Sequence, residues 1–424
     1  MNVSAHRAFS LLKELAYERV SCSAEERSAA QRLLQEALSI GVSAQIEEFK
    51  APCGHVDHAR LVVTAPYEKE YTVTGYERAL PTGEDGLDGE FYYAEDVLPA
   101  HLARVKDKIV MINGPLRRKT YEKLRKAGAK AILTFSGETI DHESNSDLLI
   151  RKLRETLTEP FGSAVALNMR AADAAEIVRR GAKQMHIELE GESYEGTSQN
   201  VCAVIEGTTY PEEIISLGAH YDSVYFSTGV YDNMSGSVIL MELLRYFAKH
   251  RPARTLKFNW YGSEEQGLLG SKAWVAAHAD ELNQHVLMIN VDVAAATLGH
   301  NVAPVLATDA AVSYVDAVMR EIGIPCKTKL DIYSSDCIPF AEKGVPAVNV
   351  CRFGAPGADF IHDRNDNLKS GYIDENALDI TLRQALAFTD RVANAVLCPI
   401  ERKIDKKIVD KVDEYLFKKE KDEE

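Results

Sequence analysis

At 424 residues the chain is too long for one ordinary domain of roughly 150 residues. Hydrophobic residues make up 46% and charged residues 27%, a globular composition that excludes global disorder. The formal net charge of −15 disfavours nucleic acid or an anionic lipid surface as the main partner, because binding phosphate needs a positive surface.

The first twenty residues have charges within every apolar run, so they do not read as a signal peptide. No later stretch approaches the roughly 18 to 20 apolar residues that cross a bilayer. The expectation is a soluble, cytoplasmic protein with no nucleic acid and no membrane partner. Ala8, Phe9, Leu11, Leu12, Leu15 and Ala16 recur at helical spacing. Ser23 followed by Glu26 predicts a capping box, and Gly41 predicts the stop of a second helix through Leu33, Leu34 and Leu38. QIEEFK then begins an extended segment. From about Ala51 to Glu195 short β-rich pieces (RLVVTAP, YTVTGYERAL, GEFYYA) precede a strand–helix–strand run, KDKIVMING, TYEKLRKAGA and AILTFSG. HESNSDLLIRKLRETLTEPFGS reads as a polar excursion, and SAVALNM with AADAAEIVRRGA adds a strand and a helix.

From about Thr197 to Leu397 strands and helices alternate. The strands are VCAVIEG, EIISLGAHYD, TLKFNWYG, HVLMINVDV and AVNVC. The helices are SGSVILMELLRYFAKH, LLGSKAWVAAHADEL, AAVSYVDAVMREIG and ALDITLRQALAFTDRVANAVL. This alternation predicts an α/β domain with a largely parallel, helix-covered sheet, whose ligands bind beyond the carboxyl ends of the strands. The tail from Glu401 reads as a charged helix. Ile404, Ile408, Val412 and Leu416 form a thin stripe on it that needs a partner surface, on its own chain or in a homo-oligomer. Seven cysteines (22, 53, 202, 326, 337, 351, 398) never fall in CxxC spacing, which speaks against a disulfide framework and a thiolate zinc site.

The chemistry-bearing residues sit at the predicted strand ends. His220 and Asp222 close EIISLGAHYD, and Asp232 lies in GVYDNMSG before a helix. Glu264 and Glu265 follow TLKFNWYGS, Asp292 ends HVLMINVDV, and His362 lies in the turn-rich FGAPGADFIHDRND. Parallel strands would bring these ends to one rim, where carboxylates without basic partners repel and a cation is the natural compensation. Two imidazoles with several carboxylates match the donors zinc accepts, and one carboxylate can serve two ions. An Asp two residues after a ligand His can fix its tautomer. Of two adjacent glutamates, one can bind metal while the other takes a proton from water. Singly, each residue also fits an ordinary role: Asp232 as a helix cap, Glu264 and Glu265 as acidic first-turn residues. The joint pattern is what points to a metal centre.

The ordered segments LGAHYDS, GVYDNMSGS, WYGSEEQGLLGS, NVDV, SSDCIPFAEKGVPAV and FIHDRND resemble the co-catalytic zinc aminopeptidase family. That family includes bacterial leucyl aminopeptidases, glutamate carboxypeptidase, the transferrin receptor and glutaminyl cyclase. The resemblance covers Thr197 to Leu397 closely and Ala8 to Phe49 more loosely. It implies a mostly parallel, helix-covered mixed sheet of the zinc-exopeptidase type, formed by residues 1–50 and 196–400. Residues 51–195 would be an inserted, smaller β-rich α+β domain resembling a protease-associated domain, and residues 401–424 a charged C-terminal helix. It further implies two zinc ions; the donors do not themselves distinguish zinc from cobalt or manganese, because the metal loaded follows availability as well as ligands. His220 and Asp292 would hold one ion, Glu265 and His362 the other, and Asp232 would bridge them. Glu264 would be the general base and Asp222 the orienter of His220. The activity implied is an aminopeptidase that releases N-terminal amino acids from a peptide substrate by a two-zinc, bridging-hydroxide mechanism.

A carboxypeptidase is the alternative enzyme, and would need cations such as Arg352 or Arg364 to grip a terminal carboxylate. An inactive binding relative would lack ligands, whereas every position here is filled. Two departures stand out. Ser335, Asp336 and Cys337 replace the SDH common in the family. Tyr333, the nearest tyrosine able to stabilise a tetrahedral intermediate, is out of the expected register.

Overall fold

The computed structural model describes residues 3–143 and 148–419. Part of the polar excursion and the last tail residues therefore lie outside the described residues, as do the first two residues. The chain divides into two compact units, Met1–Ala51 with Thr197–Glu424, and Pro52–Gly196.

In the first unit four strands run parallel, in the order Arg254–Tyr261, Tyr210–His220, His285–Val291 and Ala347–Gly354. The sheet is mixed at its margins. Val201–Ile205 pairs antiparallel with Arg254–Tyr261, and Gly299–Leu306 pairs antiparallel with Ala347–Gly354. Lys327–Leu330 closes the far edge in parallel with Gly299–Leu306.

Helices cover both faces, which is why the central strands are apolar on both sides. Ile215, Leu217, Ala219, Leu287, Ile289, Val348 and Val350 face a core with the helices Ala5–Glu14, Ala24–Ser39, Ser235–Lys249, Asp309–Glu321 and Glu375–Asn394. Met288, Ala347 and Tyr261 face a second core with Trp274, Val275, Ile338 and Phe340. The tail is part of this unit: the helix Lys406–Tyr415 buries Ile408 and Val412 in that second core. Its stripe is therefore covered by its own chain, beside the helix Cys337–Glu342.

Local details depart from the expected elements. LLGSKAWVAAHADEL is not one helix. It ends at Ala277, and Ala279–Gln284 continues as a 3₁₀ turn. The helix beginning at Glu375 stops at Asn394, leaving Val396 and Leu397 exposed.

The second unit is a smaller mixed sheet. Leu87–Tyr93, Ile109–Met111, Ala131–Ser136 and Val165–Arg170 run parallel, flanked by the antiparallel Val73–Glu77 and Gln184–Ile187. Tyr121, Leu124 and Leu157 pack on one face, and Ala174 and Ile177 on the other.

Candidate metal centre

The rim at the carboxyl ends of the four parallel strands gathers all seven residues singled out by sequence. His220 is the last residue of its strand, and Asp292 follows Val291 directly. Glu264 and Glu265 lie three and four residues beyond Tyr261, and His362 lies in the loop after Gly354. Asp232 comes from the segment Val230–Met234 that leads into the helix Ser235–Lys249. Gly236 in that helix is required, because a Cβ would collide with the Val291 carbonyl. Its absence lets the helix start seat against the strand that carries Asp292.

Asp232 stands between the two imidazoles. Its Oδ1 is 3.0 Å from His220 Nε2 and its Oδ2 is 3.2 Å from His362 Nε2. His220 Nε2 is also 3.6 Å from Asp292 Oδ1, and His362 Nε2 is 2.9 Å from Glu265 Oε2. Two donor groups result, His220–Asp232–Asp292 and Asp232–Glu265–His362, sharing only Asp232. Donors at zinc's bond lengths in a tetrahedral arrangement lie about 3.3 Å apart. The observed separations bracket that value, so the residues present fit zinc. Asp222 Oδ1 lies 3.3 Å from His220 Nδ1, the remote ring nitrogen. Glu264 Oε2 is 4.0 Å from His220 Nε2, outside hydrogen-bond range.

The electrostatics tell the same story. Burial raises the carboxyls of Glu264, Glu265 and Asp292; Asp232 adds to the rise at Glu265 and Asp292, Glu265 and Asp336 add to it at Glu264, and the imidazoles oppose it. Burial alone would lower His220, but Glu264 and the three aspartates outweigh it and hold the imidazole well above its ordinary value. His362 is likewise carried up to about 11, against burial, by Glu265 and Asp232. Burial opposes ionisation of Asp232 too, yet its contacts with His220 and His362 hold it below the usual carboxylate range. So much negative charge draws in either protons or a cation.

The pocket is buried on the His220 side and open on the other, where the His362 side chain is 52% exposed. His362 has φ +59°, Ser263 before Glu264 has φ +54°, and Val293 after Asp292 has φ +53°. Left-handed non-glycine residues thus form one donor position, His362, and adjoin Asp292 and Glu264, as is common where a scaffold holds a site under strain.

Supporting residues missed in the sequence come from far along the chain. Asp366 accepts from the amides of Tyr231 (2.8 Å) and Asp232 (3.1 Å), fixing the backbone of the shared carboxylate. It belongs to the FIHDRND phrase but carried no role there. The buried Arg19 donates to the carbonyls of Tyr221 (2.6 Å), Thr228 (2.7 Å) and Gly229 (3.1 Å), clamping the segment between His220 and Asp232. Asn233 ties its own loop to Asp292, donating to the Val291 carbonyl and accepting from the Val293 amide. Tyr333 packs edge-on against Phe353, and burial pushes its phenol far up, with Asp292 and Asp232 adding to the shift. Cys337 is buried against Met288 and takes no part in either donor group.

The profile of peptidase family M28 matches residues 200–389. Over 361 residues the chain is 25% identical to the aminopeptidase YwaD of Bacillus subtilis (strain 168), covering 81% of this chain and 74% of that protein. It is 24% identical over 310 residues to carboxypeptidase Q of Mus musculus, covering 68% of this chain and 64% of that one. Among solved structures, BSAP, a zinc aminopeptidase from Bacillus subtilis, superposes with a TM-score of 0.77 at 21% identity, covering 96% of this chain and 99% of its own. That last likeness bears on the fold.

Proposed function

We propose that this chain, which carries a peptidase family M28 domain over residues 200–389, is a zinc-dependent aminopeptidase acting on peptides with a free amino end. The observation that carries the reading is Asp232, whose two carboxylate oxygens face two imidazoles from different elements, at 3.0 and 3.2 Å. One carboxylate shared by two donor groups suits a pair of ions. His220 and Asp292 would hold the first, Glu265 and His362 the second, and Asp232 both.

Zinc bound there supplies a Lewis acid that polarises the scissile carbonyl and acidifies water. The remaining work falls to the chain. Asp222 stands 3.3 Å from the far nitrogen of His220, placed to favour the tautomer that leaves Nε2 unprotonated toward the site. Glu264 lies next to the donors but outside both groups. Its carboxyl is raised by burial, which suits a base that takes a proton from the attacking water and returns it to the leaving amine. A protonated substrate amine is attracted by the acidic rim. A carboxypeptidase would need an unspent cation for the terminal carboxylate. Arg352 instead donates to the carbonyl of Ala296 (2.8 Å) and to Asn301 Oδ1 (3.0 Å), which speaks against that role.

The unit Pro52–Gly196 is assigned as a protease-associated-like insert on its strand–helix–strand pattern. Cytoplasmic residence is part of the proposal and rests on the sequence, whose seven scattered cysteines lack CxxC spacing and do not read as the disulfide framework of a secreted protein. No helix among the described residues is long and apolar enough to cross a membrane.

The test is hydrolysis of a dipeptide and of its N-acetylated counterpart, with and without chelator. Cleavage of the free-amine peptide alone, abolished by chelation and restored by zinc, is expected. Equal turnover of the acetylated peptide would overturn the aminopeptidase reading, and chelator-resistant turnover the zinc reading.

A further inference from the structure

Glu26 belongs to the helix Ala24–Ser39 and has a local duty, since its amide donates to Ser23 Oγ as the sequence foretells. Its carboxylate does something else. Fully buried, it reaches the turn that presents Glu264 and Glu265, where Oε1 accepts from the Ser263 amide at 2.9 Å and from Ser263 Oγ at 3.2 Å. The same oxygen accepts from Ser198 Oγ at 2.9 Å, while Oε2 accepts from the Cys22 amide at 2.7 Å. The next two amides of the turn are gripped by a second carboxylate: Glu264 N donates to Asp222 Oδ1 (3.0 Å) and Glu265 N to Asp222 Oδ2 (3.1 Å). Three consecutive amides are thus held by two buried carboxylates. The fit is close, because a Cβ on Gly262 would meet Glu26 Oε1, Ser198 Oγ and the Gln199 carbonyl.

This grip matters because the turn is not self-supporting. Ser263 is held at φ +54°, a conformation that a serine adopts only under outside constraint. A residue released there would rotate toward ordinary backbone values and swing the two following side chains with it. One of them is the proposed base and the other a proposed metal donor, so a small rotation moves both at once.

We propose that Glu26 is a positioning residue for the reaction: through the Ser263 amide it sets the turn that aims Glu264 at the attacking water and Glu265 at the metal. The proposal rests on the aminopeptidase reading above and extends it to a residue of the N-terminal helix pair. Glu26 touches neither substrate nor metal donors and acts only through the turn.

The experiment compares Glu26→Ala with Ser198→Ala. The second variant removes a hydrogen bond from the same carboxylate oxygen but leaves the Ser263 contact in place. Loss of a partner behind a metal donor typically lowers metal affinity or activity about 10- to 100-fold. Glu26→Ala is therefore expected to lose kcat by that factor with KM nearly unchanged, and to give up zinc to a competing chelator about tenfold more readily. Ser198→Ala should keep both values within about twofold even where its melting temperature falls. Should Glu26→Ala fail to fold, Glu26→Gln makes the same test. Each carboxylate oxygen accepts a backbone amide, so the side-chain amide must turn its own NH₂ toward one of them. Wild-type kcat and zinc affinity in the Glu26 variant would overturn the proposal, as would a parallel decline in both variants. A wild-type protein that cleaves no free-amine peptide would overturn the aminopeptidase reading itself and the proposal with it.

Discussion

Replacing Glu264 by Gln separates chemistry from architecture. The substitution keeps the side chain's shape, and it keeps the amide that donates to Asp222 at 3.0 Å, so the turn holding Glu265 is undisturbed. What disappears is the base. Losing a general base lowers the rate by about 10² to 10⁴, equivalent to about 2.7–5.4 kcal/mol of barrier at about 1.36 kcal/mol per tenfold. Stability should move the other way. Burial raises the Glu264 carboxyl well above its ordinary value, so the folded, metal-free protein disfavours its ionised form. A raised carboxyl withdraws stability as pH climbs above its unfolded value of about 4.3. Glutamine carries no such charge. The metal-free variant should therefore melt at or above the wild type near neutral pH, with the difference closing toward pH 4. Turnover of an aminoacyl chromogenic substrate, zinc content, and thermal unfolding in chelator across that pH range measure all three quantities. Activity within about tenfold of wild type would remove Glu264 as base, and zinc lost together with activity would make it a donor.

Other expectations follow from the geometry. Asp232→Ala should empty both metal positions, because no other residue belongs to both donor groups, whereas Asp292→Ala should weaken one; zinc stoichiometry after dialysis distinguishes them. Zinc should raise the melting temperature more at pH 8 than at pH 5.5. The His362 proton, held to about 11, stabilises the metal-free fold fully below about 6.5 and is lost as pH rises, and at low pH it competes with the metal. An equal zinc-induced shift at both values would contradict this. Ile408→Asp places a charge in the core shared with Phe340 and should lower stability by several kcal/mol or about that of losing a buried side chain, without changing the sedimenting mass. A change in mass would mean that the tail joins subunits.

The four parallel strands were legible because burial on both faces leaves a nearly continuous apolar run, as in HVLMINV. Gly299–Leu306 and Lys327–Leu330 were not. The first turns its start to solvent and carries a proline within its buried run VAPVL, which argues against a strand, and the second has no buried residue and gives no hydrophobic run to read. The donors were legible for a related reason: each sits at or just past a strand end, where sequence order maps onto one rim. The supports were hidden because they act through the backbone. Arg19 binds carbonyls and Asp366 binds amides, and a backbone partner leaves no mark in the residue type opposite. Glu26 was visible only as a capping-box glutamate: Ser23 Oγ does accept from its amide, but the Ser23 amide bonds the Val20 carbonyl, and the Glu26 carboxylate serves a turn 237 residues away.

The two halves of the site are built differently, and the difference follows from topology. His220 and Asp292 stand at the ends of adjacent central strands, paired in register up to Gly218 and Asn290 and almost wholly buried. Their spacing is inherited from the sheet. Glu265 and His362 come from a turn and a loop, where no ladder fixes the distance, and His362 is half-exposed in a left-handed conformation. That half depends on side-chain-to-backbone bonds: Asp222 on the Glu264 and Glu265 amides, and Asp366, four residues beyond His362, on the Asp232 amide. A sheet rim alone can place two donors and the shared carboxylate's neighbour, but an opening for substrate requires that the other donors leave the sheet. The buried carboxylates around the rim thus have two tasks: some face the metal, and others hold in place the loops that must carry the remaining donors outward.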